Sequence, residues 1–152
     1  MSGIPQASEE QRKLLQQRQH RECIVCRPVE AGGFEIRFRT TADGGVAASF
    51  DCPPFFQGYE GVVHGGVVCT LLDAAMTHCL MARGKSGVTA RLIVRFLQPV
   101  AVGLPAEITA RLCEYEPPLY VLEADLVQQG RVRARATAKF IDRDSQGHSA
   151  DR

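Results

Sequence analysis

The second half of the chain alternates apolar and polar residues with a period of two. Val88, Ala90, Leu92, Val94 and Phe96 fall on one side, with Thr89, Arg91, Ile93 and Arg95 on the other. Ala106, Ile108, Ala110 and Leu112 repeat the pattern, as do Tyr120, Leu122, Ala124 and Leu126. Val132, Ala134, Ala136, Ala138 and Phe140 complete it, opposed by Arg131, Arg133, Arg135, Thr137 and Lys139. Turns fall between these runs at Glu116-Pro117-Pro118 and Gln129-Gly130. Four successive segments of this kind predict an antiparallel sheet with one buried face. Upstream, Phe34–Thr40 alternates as a further strand, and Asp43-Gly44-Gly45 predicts a hairpin into Val46–Phe50. The broken stretch from Pro53 to Gly61 predicts a loop.

A different pattern occupies the middle. Residues Val62–Ala82 form a nearly continuous apolar run, which predicts a long helix from about His64 to Arg83-Gly84. Gly84 suits its C-terminal cap and Arg83 its negative end. The run is long enough to raise a membrane span. The internal His64, Asp73 and His78, together with the surrounding strands, favour a buried helix in a protein with no membrane partner. Such a helix must lie across the apolar face of the sheet, and the alanines of the last strand leave room for it. The expected class is therefore α+β. Near the N-terminus, Glu9–Gln19 reads as a short surface helix. Residues 1–22 are expected to form a helical extension, 23–141 the domain, and 142–152 a disordered polar tail.

Composition narrows the function classes. The chain has 152 residues and a formal net charge of +1. That suits one domain and gives no polyanion-binding signature, so nucleic acid is not an expected partner. The N-terminal segment lacks the apolar core of a secretion signal, which points to the cytoplasm. Six cysteines without such a signal do not imply disulfides. Cys23-Ile-Val-Cys26 has the spacing of a zinc or redox site, but no second pair follows at ligand spacing. Four protein ligands are not evident, so no metal and no cofactor is assigned and the segment reads as a packing turn.

The candidate chemistry lies where the central helix begins. Gly61-Val-Val-His64-Gly65-Gly66 puts bare glycine amides at a helix N-terminus, where a developing negative charge is stabilised. Asp73 follows nine positions after His64, inside the apolar run. A buried carboxylate there is costly unless it is hydrogen-bonded or used chemically. It shares a helical face with Gly66, Thr70 and Thr77, away from Leu71, Leu72, Ala75 and Cys79. An oxyanion site and a carboxylate together point to acyl chemistry, with Asp73 as general base or as nucleophile. His64 is either the residue that fixes the turn or a proton carrier. Phe55, Phe56 and Met76 are candidates for lining an acyl pocket. Arg91 and the other outward arginines either bind phosphates or pair with Glu107, Glu123 and Asp125.

The segment QGYEGVVHGGVVCTLLDAAM, followed by GVTARLIVRFLQPVAVG, resembles the hotdog-fold thioesterases of the phenylacetate-pathway (PaaI-like) type. The likeness spans roughly Cys23 to Phe140, and the CxxC ahead of FEIRF resembles one branch of the family. It implies a long central helix wrapped by a curved antiparallel sheet of five or six strands. It also implies an acyl-CoA substrate, hydrolysis without metal or cofactor, and a homodimer with composite sites, often paired into tetramers. By position, Asp73 matches the catalytic carboxylate and Gly65 the backbone oxyanion donor. His64 matches the adjacent histidine, and Thr89 a hydroxyl that assists from the other subunit. Read from the residues themselves, Gly66, Gly58, Thr70, Met76, Phe56 and Arg91 are the candidate substrate-binding residues. Some relatives carry an Asn six residues before the His; here that position is Gly58, and Gln57 beside it is the candidate replacement. The alternative on the same fold is a non-catalytic acyl-CoA or lipid-binding protein.

Overall fold

The computed structural model describes residues 3–143. Its elements run α1 (Glu9–Gln19), β1 (Arg39–Thr40), β2 (Val46–Phe50), α2 (Gly65–Met81), β3 (Gly87–Phe96), β4 (Ala106–Glu116), β5 (Leu119–Gln128) and β6 (Arg131–Asp142). The six strands form one antiparallel sheet in the order β1-β2-β4-β5-β6-β3. α2 lies across one face and packs on β2, β3, β4, β5 and β6.

The alternation explains this layering. Tyr120, Leu122, Leu126 and Phe140 are fully buried on the inner face, against Leu71, Leu72, Ala75 and Cys79 of α2. Ala124 pairs with Ala136, and Ala134 and Ala138 flank them, so the sheet is shallow beneath the helix. Gly87 completes the fit: a Cβ there would lie 2.9 Å from Leu80 Cδ1. No helix among the described residues is long and apolar enough to cross a membrane.

The structure departs from the sequence pattern in four places. Phe34–Thr40 alternates as expected, with Ile36 and Phe38 buried, but only Arg39–Thr40 joins the sheet. Glu35 takes a left-handed φ of 55°, and Phe34, Glu35 and Ile36 donate their amides to Ile24, Arg27 and Val25 instead. In β3 a bulge at Ala90 shifts the register: Thr89 pairs with Phe140 and Arg91 with Lys139. Thr89 therefore lies on the inner face with Leu92 and Val94, not with Arg91 as strict alternation requires. A second irregularity near Arg133 pairs Val132 with Val127 and removes Val132 from the buried row. Finally, β6 continues through Asp142, whose carboxylate accepts the Tyr120 hydroxyl at 2.8 Å. Asp142, expected to open the polar tail, is therefore a strand residue, and residues 144–152 lie outside the described residues.

The N-terminal helix is docked on α2. The Ser8 amide donates to Ala82 O at 2.7 Å, and Arg83 reaches Pro5 O at 2.7 Å. Arg12, nearly fully buried, is gripped by Glu9 and touches His78 of α2.

Candidate active site

α2 begins where its sequence demands. His64 is the N-cap, in extended conformation (φ −56°, ψ 132°), and its Nδ1 accepts the Gly66 N–H at 2.9 Å. This bond explains the second glycine, since a Cβ at position 66 would meet the His64 ring at 3.0 Å. The turn is held from behind by the His64 amide donating to Phe56 O at 2.8 Å. Gly58 lies against the same ring, and a Cβ there would sit 3.3 Å from His64 Cδ2. With Gly66 occupied by the cap, Gly65 carries the available amide; among the described residues it donates to no acceptor. Its Cα faces Phe96 of β3, with room for a methyl at 3.6 Å.

Asp73 projects from the flank of α2 toward β3. It is partly buried, and the inward-turned Thr89 donates its hydroxyl to Asp73 Oδ1 at 2.6 Å. Burial raises the Asp73 carboxyl above the ordinary aspartate range, and the Thr89 hydrogen bond opposes that rise. The bulge at Ala90 makes this contact possible. Thr89 thus reaches the aspartate of its own chain.

The other expected site residues divide. Thr70, partly buried, donates to Gly66 O at 2.8 Å, and Thr77 donates to Asp73 O at 3.1 Å, so both hydroxyls border the face that carries Asp73. Gln57 is exposed, and its Oε1 accepts the Gly61 N–H at 3.2 Å, closing its own loop. Phe56 packs on Phe34 and Phe50 beside a cavity of ≈660 Å³ also lined by Ile36 and Phe55. Met76 is fully buried in the core, where an acyl chain reaches it only by entering between helix and sheet. Arg91 is exposed, with no ion-pair partner among the described residues, whereas Arg135 pairs with Asp125 at 2.7 Å and Arg111 with Glu123.

Gly65 and Asp73 do not meet within one chain. Eight residues of helix separate them, roughly 12 Å along the axis at about 1.5 Å per residue. Gly65 borders one cleft, and Thr77 and Thr89, the hydrogen-bond partners of Asp73, border another. One, of ≈360 Å³, is bordered by Gly65, Val68, Phe96 and Leu97; the other, of ≈300 Å³, is bordered by Thr77, Val88 and Thr89. Both clefts flank β3, which pairs with β6 on one side and has no strand on its other edge among the described residues. Along that strand Val88, Ile93 and Phe96 are exposed, as is Leu97 just beyond.

The long helix laid across one six-stranded antiparallel sheet is the layering of the hotdog fold. The family model of the thioesterase superfamily matches residues 60–135, and the chain belongs to that superfamily. The chain is 30% identical over 120 residues to the acyl-coenzyme A thioesterase THEM4 of Bos taurus, covering 77% of this chain and 49% of that protein. It spans about half the length of the curated relatives it matches. Among solved structures, a phenylacetic acid degradation-related protein of Ralstonia eutropha JMP134 has a TM-score of 0.66 at 26% identity, covering 76% of this chain and 90% of that one. A hypothetical thioesterase of Streptococcus pneumoniae TIGR4, solved with coenzyme A, has a TM-score of 0.67 at 22% identity, covering 71% and 88%, a likeness of fold.

Proposed function

We propose that this chain is an acyl-CoA thioesterase whose site is assembled from two copies. The observation that carries the reading is Asp73. It is a carboxylate raised by burial, held by Thr89, and placed beside the free edge of β3. A carboxylate in that setting serves as base or nucleophile, but an oxyanion donor must lie about 3 Å from the same carbonyl group. Gly65 of the same chain is too far along the helix to supply it. A two-fold pairing of β3 edges centred near Leu92 sets Phe96 of one copy beside Thr89 of the other. Gly65 of the second copy, which faces Phe96, then approaches Asp73 of the first. The exposed apolar residues of that edge favour such a union, as a dimer or a dimer of dimers.

In this arrangement the thioester carbonyl oxygen points at the Gly65 amide. Either water deprotonated by Asp73, or Asp73 itself, attacks the carbonyl carbon. The carbon–sulfur bond breaks, and the coenzyme A thiolate leaves and takes up a proton. In the nucleophilic variant, water then hydrolyses the anhydride. The chain's own groups suffice for each step. His64 holds the turn, Thr89 orients the carboxylate, and exposed Arg91 is available to coenzyme A phosphates. The coenzyme A found with the pneumococcal protein of this fold and the thioesterase name of the bovine relative support the substrate class. Six free cysteines favour a reducing, cytoplasmic setting.

One observation favours the non-catalytic binding alternative: Gly58 carries no side-chain amide, its backbone N–H donates to Val62 O, and the Gln57 oxygen is engaged in its own loop. Thiol release from short, medium, long and aryl acyl-CoAs decides between them. Turnover by the wild type that falls about 10²–10⁴-fold in Asp73→Ala supports the enzyme. Tight binding with no turnover across the panel overturns it.

A further inference from the structure

Toward the C-terminal half of α2, where His20 shares a cleft with Thr77 and Thr89, a cluster of metal-ligating side chains is gathered by local backbone geometry. His20 is the C-cap of α1. The Cys23 amide then donates to His20 O and the Cys26 amide to Cys23 O, two successive i→i+3 turns. In such turns side chains three apart eclipse one another, so His20, Cys23 and Cys26 come to one side. Their donor atoms all lie within 4.8 Å of one another. His20 Nδ1 is buried and has no hydrogen-bond partner among the described residues. A cleft of ≈450 Å³ bordered by Gln16, His20, Cys26 and Arg27 gives access from solvent.

His78 of α2 supplies the surroundings. Arg12 Nη1 lies 3.1 Å from His78 Nδ1, and a guanidinium only donates, so Nδ1 is the acceptor. The ring hydrogen is then on Nε2, which donates to Cys26 Sγ at 3.2 Å. His78 is thereby occupied as a hydrogen-bond donor to one thiol rather than as a ligand. Arg12 is itself fixed by Glu9 and Gln16. An N–H directed at a cysteine sulfur is a typical outer-shell support for a metal thiolate.

We infer that His20, Cys23 and Cys26 form a binding site for a thiophilic divalent metal of the Zn²⁺ class, with His78 as its outer-shell donor and the fourth position open to solvent. Two thiolates and an imidazole select such a metal over Mg²⁺ or Ca²⁺. Bond lengths of about 2.3 Å to sulfur and 2.0–2.1 Å to nitrogen bring tetrahedral ligand atoms about 3.6 Å apart, a contraction that side-chain rotation supplies. Each thiol loses its proton to solvent as the metal binds. The bound ion ties the end of α1 to the loop before β1 and so clamps the N-terminal segment against α2.

The test uses the full chain, stripped with a chelator under reducing conditions and titrated with Co²⁺ and Zn²⁺. One equivalent of Co²⁺ is expected to give the near-ultraviolet thiolate charge-transfer band and the visible bands of a tetrahedral site, and Zn²⁺ is expected to displace it. Cys23→Ser/Cys26→Ser is expected to abolish the band, whereas Cys69→Ser retains it. His78→Gln is expected to weaken Zn²⁺ binding about 10–100-fold. No charge-transfer band in the folded wild type overturns the site, and so does a band unchanged in the double Ser variant. A Cys23–Cys26 disulfide that survives the reductant also overturns it. These readouts do not involve acyl-CoA turnover.

Discussion

Replacing Gly65 with Pro deletes one N–H and little else. Position 65 is the first helical residue, where proline is favoured because its missing donor makes no intrahelical bond. The residue before a proline must be extended, and His64 already is, with ψ 132°. A Cβ at position 65 meets Phe96 at an ordinary 3.6 Å, and the His64–Gly66 bond is untouched. Stability is therefore expected to hold or rise by about 0.4–1 kcal/mol, because the unfolded chain is stiffened. At about 2–4 °C per kcal/mol this amounts to a Tm gain of about 1–4 °C. The rate is expected to behave oppositely. Losing one oxyanion donor costs about 10²–10³ in kcat, roughly 3–4 kcal/mol. Gly65→Ala retains the N–H and is the control. The assay is thiol release on the best acyl-CoA, with Tm by calorimetry on the same samples. A Gly65→Pro enzyme within about threefold of wild type, with its Tm unchanged, refutes the assignment of this amide.

His64→Asn retains a capping acceptor and is expected to keep Tm and activity near wild type. His64→Ala is expected to lose about 1 kcal/mol. Loss of turnover in both, with Tm intact in Asn, would instead make His64 a proton carrier. Burial raises the Asp73 carboxyl in the folded state, so its contribution favours folding at low pH and is lost as pH rises through the folded value. Asp73→Asn, which still accepts from Thr89, is therefore expected to raise Tm at neutral pH and to narrow that gain in acid, while turnover falls about 10²–10⁴-fold. Scanning calorimetry across pH checks the sign. Glu9 is held down to about 2 by the Arg12 hydrogen bonds, so its contribution is present above about 4.5 and lost as pH falls toward 2. Glu9→Gln is expected to flatten that acid limb of the Tm profile.

Much of the fold was legible because long strands and an amphipathic frame impose strong periodicities. β4, β5, β6 and the length of α2 follow directly from residues such as Ile108, Leu122, Phe140 and the Gly65–Met81 run. Bulges were not legible: the extra residue at Ala90 is set by pairing with β6, and nothing local in GVTARLIVRF marks it. That one residue turned Thr89 from the outer face to the carboxylate. Phe34–Phe38 misled for a related reason, since alternation reports burial and not ladder partners. His78, one of the polar residues that argued against a membrane span, is packed in the interior. The His20-x-x-Cys23-x-x-Cys26 spacing was present in the sequence, but a search for ligands after the CxxC passes over a histidine ahead of it.

The central claim is that one thioester is held between Asp73 of one chain and Gly65 of another. Co-expression of Asp73→Asn and Gly65→Pro chains, with mixed dimers isolated by two tags, tests it most directly. Each variant alone is inactive in this account. A mixed dimer carries one intact site of two, so a random mixture regains about a quarter of wild-type turnover. Isolated mixed dimers with no activity above either parent, or a wild-type enzyme that turns over as a monomer, would contradict the claim.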